Sequence, residues 1–223
     1  MKKSIIIRMI QAVLVLFLQG AILFVLAWSF KWIWAWIFIS TGVIILIINA
    51  IVLPKGLIEE RGKKKENVKK WDKFLTSIII IPFLGIYILS GLDFRFHWTP
   101  GLGSGIHFIA LSLYILGSMI VTWSMLSNNY FSTVVRIQDD RGHSVASQGP
   151  YKYVRHPGYI SFIIMNLVTP VLLGSLFALT MAFLVCILFI IRTELEDKTL
   201  AAELPGYKEY SEQTKYKLVP FVW

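Results

Sequence analysis

Long apolar stretches separated by short polar connections run along most of this 223-residue chain. Four of these stretches, at residues 9–30, 32–53, 74–92 and 106–126, come close to or exceed the roughly 20 residues that a helix needs to cross the hydrocarbon core of a bilayer. The pattern therefore predicts four membrane-spanning helices.

A fifth apolar stretch, residues 159–191, is too long for one span and slightly short for two. Pro170 and Gly174 lie near its middle, where helix breakers favour a turn. This predicts a helical hairpin, with arms at about 159–173 and 175–191. The predicted fold class is thus an all-α integral membrane protein with six membrane helical segments: four spans and a C-terminal hairpin.

The basic residues predict how this bundle is oriented. Twenty of the 22 Lys and Arg residues fall on one side of the six-segment arrangement, and only Lys31 and Arg95 fall on the other. Basic residues accumulate on the cytoplasmic side of membrane proteins. Both termini and the connections 54–73 and 127–157 are therefore expected to be cytoplasmic.

Composition excludes several other classes of protein. The chain is 56% hydrophobic and only 16% charged, which is typical of a membrane protein, and its net charge of +9 follows the membrane orientation. Contact with anionic lipid is expected, and nucleic acid is not. The one cysteine, Cys186, excludes a disulfide framework. His97 and His107 have no third ligand at a suitable spacing, so no metal site is predicted.

Polar and aromatic residues are unevenly divided along the chain. Residues 1–92, with three spans and a lysine-rich connection, are interpreted as an N-terminal membrane scaffold. Residues 93–223 hold the fourth span, a polar connection, the hairpin and a charged tail, and are interpreted as the functional core. The densest group of polar and aromatic side chains is Gly149-Pro-Tyr-Lys-Tyr-Val-Arg-His-Pro-Gly-Tyr159.

Topology predicts that two parts of this core meet. Pro157 favours a helix start, so His156 is expected at a helix N-terminus, which suits an anionic group. Arg192 and Glu196 are four residues apart and share one helix face at the other end of the hairpin. Because a hairpin returns to the side that it left, these residues are expected to form one cytoplasmic pocket.

These motifs resemble the isoprenylcysteine carboxyl methyltransferase family, and the related phospholipid N-methyltransferases share much of the pattern. The resemblance covers about residues 128–223. It is carried by His143-Ser-Val-Ala, Gly149-Pro-Tyr, Arg155-His-Pro-Gly-Tyr, Arg192-x-x-x-Glu-Asp-x-x-Leu200, Leu204-Pro-Gly-Tyr-Lys-Glu-Tyr210 and Leu218-Val-Pro220.

The resemblance implies a methyltransferase that binds S-adenosylmethionine without a Rossmann fold and receives a lipid-tailed substrate from the bilayer. Arg192 is implied to bind the substrate carboxylate, and Arg192 with Glu196 is expected to carry catalysis. Arg136 falls where the eukaryotic enzymes have a glutamine on the cofactor, and Asp197 replaces a glutamate. The residues implied to bind the cofactor are Arg136, His143, Ser144, Val145, Ala146, Tyr151, His156, Pro157, Gly158, Tyr159 and Glu196.

The residues leave the methyl acceptor open. A carboxylate acceptor needs no general base, whereas an amine must lose a proton, for which His156 or Glu194 are candidates. The N-terminal part is shorter than expected for the eukaryotic enzymes, which favours a prokaryotic cell membrane. Two alternatives remain: a sterol-type membrane reductase that uses NADPH, although Ile160-Ser161 stands where those enzymes carry an acidic residue, and a non-enzymatic lipid-binding protein.

Overall fold

The computed structural model describes residues 3–223, and within that range the chain forms eight α-helices, two 3-10 turns and no β-strand. The 3-10 turns cover Asp139–Arg141 and Gly149–Lys152. The helices are α1 (Lys3–Ala27), α2 (Ile33–Val52), α3 (Lys55–Gly62), α4 (Lys70–Phe96), α5 (Ser104–Ser127), α6 (Pro157–Leu173), α7 (Leu179–Glu203) and α8 (Tyr207–Gln213).

Helices α1, α2, α4 and α5 are long and apolar enough to cross a membrane. Their outer faces carry large apolar side chains such as Phe17, Ile51 and Ile81, each more than 70% exposed. Contiguous apolar surface of this kind suits contact with lipid rather than water. The all-helical class and the four predicted spans are confirmed, although α4 extends beyond the predicted span at both ends.

The fifth apolar stretch forms two helices, α6 and α7, joined by a turn that starts at Gly174. Gly174 has φ = +82°, a conformation that ends α6 at little steric cost. Pro170 lies inside the last turn of α6 instead of in the connection, where its carbonyl accepts the Ser175 amide at 2.8 Å. Helix α7 continues past the apolar residues, so Arg192 and Glu196 lie on the helix itself.

Polar side chains fix the hairpin turn against the α4–α5 connection, at what we term the opposite end of the bundle. Asp93 accepts hydrogen bonds from the Thr99 amide (2.7 Å), the Thr99 hydroxyl (2.6 Å) and the Ser175 hydroxyl (2.6 Å). The His107 Nδ1 lies 2.9 Å from the Leu172 carbonyl oxygen and donates to it. His107 is thus a structural residue in this fold.

The other end, which we term the basic end, brings together α3, the connection 128–156 and the tail after α7. The Arg155 and His156 amides donate to the Tyr216 and Lys217 carbonyls, both at 2.9 Å. This pairing lays the tail alongside the segment that leads into α6. The basic end therefore has a folded polar layer over the helix termini, and the cavity described next lies within it.

Candidate functional site

A cavity of about 260 Å³ lies at the basic end, between the 128–146 connection, the start of α6, the end of α7 and α8. Among the predicted site residues, only Pro157 does not line it. Pro157 is fully buried as the first residue of α6, where its fixed φ favours the helix start. The structure brings together, around this cavity, Arg136, His143, Ser144, Val145, Ala146, Tyr151, His156, Gly158, Tyr159, Arg192 and Glu196.

Asp197 is the centre of a buried hydrogen-bond network beside the cavity. Its carboxylate accepts two bonds from the Arg155 guanidinium, at 2.7 and 2.9 Å, and one from the Tyr207 hydroxyl at 2.7 Å. The His156 Nε2 lies 3.1 Å from Asp197 Oδ1. Burial acts to raise the pKa of Asp197, but the bonds from His156 and Arg155 outweigh it and hold this pKa below its ordinary range. Asp197 is thus a carboxylate at neutral pH.

The same network orients His156. The His156 backbone caps α6, but its side chain makes no capping bond and turns toward Asp197 and Tyr207. Its ring stacks near Tyr159, with 5.8 Å between centroids. The first turn of α6 is left facing the cavity at Gly158 and Tyr159. Gly158 is required there, because a Cβ atom would lie 2.6 Å from the Phe131 ring.

Arg192 does not form an ion pair with Glu196. Its Nε donates to Asp72 Oδ1 at 2.8 Å, and its Nη2 donates to the Thr133 carbonyl at 3.2 Å. Asp72 is fully buried in the first turn of α4 and also accepts the Val135 amide at 2.8 Å. A carboxylate buried this deeply needs a cationic partner, which explains why Arg192 turns toward α4.

Within the described part of the chain, Glu196 accepts one hydrogen bond, which the Tyr159 hydroxyl donates to its Oε2. No Lys, Arg or His of the described residues lies within ion-pair distance of Glu196. Glu196 therefore brings to the cavity wall a carboxyl group that has no direct ion pair. This arrangement suits a ligand group that carries a positive charge.

Arg136 is held at the rim of the cavity by two acids. Its guanidinium lies 3.1 Å from Glu60 and 2.8 Å from Asp140, while its Nε is buried without a hydrogen-bond partner. Burial acts to raise the pKa of Glu60, but the hydrogen bonds from Lys65 and Arg136 outweigh this effect. The pKa of Glu60 therefore lies below its ordinary value. Arg136 is thus a cation already neutralised by two acids.

His143 forms part of the polar wall. Its Nδ1 accepts the Gln138 amide at 3.3 Å, and its ring packs on Tyr130 with 4.6 Å between centroids. Burial lowers the pKa of His143, so the imidazole is neutral at pH 7. The accepting Nδ1 requires the same protonation state.

Sequence reasoning missed two charged residues from the N-terminal part of the chain. Asp72 holds Arg192, and Arg61, at the end of α3, lines the cavity with its guanidinium 5.3 Å from the Phe131 ring. The sequence did contain one indication for Asp72. An acidic residue two positions before the apolar run at 74–92 lies at the edge of a membrane span, where an unpaired carboxylate is energetically unfavourable. Nothing in the sequence distinguishes Arg61 from the surrounding basic residues.

Two different apolar clusters border the cavity. One is built from the tail and the 145–151 region, with Tyr151, Leu204, Tyr207 and Tyr210 buried at its centre. The other lies among α3, α5 and α6 and includes Leu57, Ile58, Val121 and Met125, with Phe131 and Phe162 packed on it. One wall is therefore aromatic and continuous with the polar layer, and the other is continuous with the membrane helices.

The fold and this cavity define a class: a multi-pass integral membrane protein with a polar cavity at one end of its helix bundle. Residues 109–202 match the model of the isoprenylcysteine carboxyl methyltransferase (ICMT) family. This part of the chain is therefore similar to that family, as the motifs predicted.

Two known proteins are similar to the chain. The Protein-S-isoprenylcysteine O-methyltransferase of Schizosaccharomyces pombe is 34% identical over 95 residues, which are 43% of this chain and 36% of the relative. The match thus spans about a third of the relative's length. A solved structure of the eukaryotic intramembrane Ras methyltransferase ICMT is similar in fold, with a TM-score of 0.50 and 17% identity over 96% of this chain and 84% of that one.

Proposed function

We propose that this protein is a methyltransferase that uses S-adenosylmethionine and transfers a methyl group to a lipophilic acceptor at the cytoplasmic membrane interface. The observation that carries the proposal is Glu196, a carboxyl group on the cavity wall with no Lys, Arg or His within ion-pair distance among residues 3–223. A cofactor with a sulfonium and an ammonium group supplies the missing positive charge. The family match over residues 109–202 supports the same cofactor.

The other parts of the cavity also fit that cofactor. The first turn of α6 faces the cavity at Gly158 and Tyr159, where backbone amides suit a carboxylate. The tyrosine-rich wall around Tyr151 and Tyr207 suits a purine ring. Ser144 and Ala146, which are small, leave room on the same side. When bound, the cofactor supplies an electrophilic methyl group, and the protein's part is to hold the acceptor in line with it.

Arg192 is proposed to contact the acceptor. Asp72 binds its Nε and Thr133 its Nη2, and among the described residues its Nη1 makes no hydrogen bond. The guanidinium is therefore fixed in position, with one nitrogen left for an oxygen of the acceptor. Fixing the donor in advance reduces the entropy that must be lost when the acceptor binds.

The surroundings of the candidate bases support a carboxylate acceptor. His156 is engaged by Asp197 and Tyr207, and Glu194 lies outside the cavity, where Lys198 and Lys217 bind it. Neither group is placed to remove a proton from an amine. The name of the fungal relative, an O-methyltransferase, also describes methylation on oxygen.

The positions of the basic residues support a cytoplasmic site. The cavity lies at the end of the bundle that carries α3 and the 128–156 connection, and Lys31 and Arg95 lie at the other end, before α2 and at the end of α4. Basic residues favour the cytoplasmic side. We therefore place both termini and the cavity in the cytoplasm, with six membrane segments, in a prokaryotic cell membrane.

Calorimetry on the detergent-solubilised protein tests the cofactor. S-adenosylhomocysteine is expected to bind saturably, and Glu196→Gln to weaken it about tenfold, or about 1.4 kcal/mol. Glu194→Gln, two residues along the same helix but outside the cavity, is the matched control and should leave affinity within about twofold. A folded wild type that binds NADPH, or neither ligand, would refute the methyltransferase proposal.

Transfer of a labelled methyl group tests the acceptor. S-farnesylcysteine offers a carboxylate, its methyl ester offers none, and phosphatidylethanolamine offers an amine. We expect label on the free carboxylate only. Label on phosphatidylethanolamine would move the proposal to amine methylation.

A further inference from the structure

The charged residues that line the cavity differ in whether an opposite charge neutralises them. Three lining arginines are paired with acids: Arg192 with Asp72, Arg155 with Asp197, and Arg136 with both Glu60 and Asp140. Two lining residues have no ion pair in the described part of the chain: the carboxylate of Glu196 and the guanidinium of Arg61. The first suits the cofactor, as argued above. The second is a cation for which residues 3–223 provide no ion-pair partner.

The contacts of Arg61 are weak for a guanidinium. Its Nη1 lies 3.5 Å from the Phe131 carbonyl oxygen, at the limit of a hydrogen bond, and its Cζ lies 5.3 Å from the Phe131 ring centroid. Burial lowers the pKa of Arg61, and the like charge of Arg8 lowers it further. A cation in such surroundings gains more from an incoming anion than an arginine already paired with an acid.

Tight packing holds Arg61 in place. The next residue, Gly62, lies against the start of α1, where a Cβ atom would be only 1.9 Å from the Ser4 carbonyl oxygen. On the other face of α3, Leu57 and Ile58 are buried against residues of α5. The helix is therefore fixed on both sides, and its last turn directs Arg61 to the cavity wall.

We propose that Arg61 binds the anionic group of the lipophilic acceptor, so that the N-terminal half of the chain contributes a substrate-binding residue. This inference rests on the proposed function. Asp72 already neutralises the charge of Arg192, so Arg192 alone cannot balance the negative charge of the acceptor. The proposal assigns that role to Arg61.

The surroundings of Arg61 favour an anion that is carried by a lipid over a soluble one. Phe131, which contacts Arg61, and Phe162 both line the cavity and pack on the apolar cluster formed with α3 and α5. The tyrosine-rich wall that suits the cofactor belongs to a separate cluster. An anionic head group with an apolar tail would place its charge at Arg61 and its tail among these membrane-side residues.

Binding of radiolabelled oleate at pH 8.5 to protein in zwitterionic nanodiscs tests the proposal without depending on activity. Oleyl phosphate and oleyl alcohol serve as competitors with the same tail, and acetate and inorganic phosphate as soluble anions. The wild type should bind the two lipid anions at least about tenfold tighter than the alcohol. Arg61→Gln should bind all three alike, and Arg61→Lys should keep most of the preference.

Lys55→Gln is the matched control, because Lys55 is an exposed cation on the same helix outside the cavity. It should behave as the wild type. S-adenosylhomocysteine binding should be unchanged in every variant, which also shows that the variants are folded. A preference that survives in Arg61→Gln would overturn the proposal, as would displacement of oleate by inorganic phosphate at matched concentration. The two proposals can fail separately. If the wild type binds no S-adenosylhomocysteine but prefers lipid anions, and Arg61→Gln loses that preference, the methyltransferase proposal is refuted and the Arg61 site is supported.

Discussion

Removing the charge of Asp72 should destabilise the protein strongly. Asp72→Asn keeps an oxygen for the Val135 amide, now at 2.8 Å, but removes the negative charge and the oxygen that accepts from Arg192 at 2.8 Å. Because Asp72 is fully buried and Arg192 is 7% exposed, the guanidinium would be left unpaired away from water. Breaking a buried pair in this way costs about 3–5 kcal/mol.

Thermal unfolding in a fixed concentration of detergent, followed by tryptophan fluorescence, measures this cost. For a chain of this length, 1 kcal/mol corresponds to about 2–4 °C, so Tm should fall by about 6–20 °C. Lys69→Gln is the control, since Lys69 lies in the same region and makes an exposed pair with Glu203 at 2.6 Å. An exposed pair contributes about 0–1 kcal/mol, and its loss should lower Tm by less than about 4 °C.

The double variant Asp72→Asn/Arg192→Gln separates this explanation from a general defect in packing. Removing both charges leaves no uncompensated ion, so the double variant should lose less stability than the two single variants together. The reasoning would be refuted if Asp72→Asn matched the Lys69→Gln control, or if the losses in the double variant were additive.

Two further predictions concern pH and topology. The lowered pKa of His143 means that the neutral form stabilises the fold above the ordinary value of about 6.5 and that this contribution is lost as the pH falls through the folded pKa. If His143 contacts the cofactor, S-adenosylhomocysteine affinity should fall as the pH drops below about 6.5 in the wild type and stay flat in His143→Gln; equal pH dependence in both would contradict this. In a Cys186→Ala background, an impermeant thiol reagent applied to intact cells should label a cysteine that replaces Ser104. It should not label a cysteine that replaces Lys64, Ser147 or Glu212, and labelling at any one of these three positions would contradict the topology.

The membrane part of the fold could be predicted because each span depends on local hydropathy alone. The turn at Gly174 was also recognisable, because a glycine within a long apolar run favours the end of a helix, and α6 ends there. The convergence of His156 with Glu196 at one cavity followed from the hairpin topology. The separation of Arg192 from Glu196 did not, because helical spacing shows which side chains share a face and not which partner lies across from them.

The N-terminal contribution to the cavity was beyond the sequence for a related reason. Arg61 and Asp72 lie in a connection rich in lysine, where charge composition is typical of a cytoplasmic loop. Which of these residues turns inward depends on how α3 packs against α1 and where α4 begins. That packing is set by Gly62 against Ser4, a contact between distant residues that leaves no periodic pattern.

The pair between Asp72 and Arg192 joins residues 120 positions apart, which has a consequence for synthesis. At about 5–20 residues per second, Asp72 leaves the ribosome roughly 6–24 s before its partner. During that interval it must remain hydrated, which its place in the first turn of α4, at the membrane surface, allows. The ion pair that holds Arg192 can therefore form only after α7 has been made, and the cavity wall is incomplete until then.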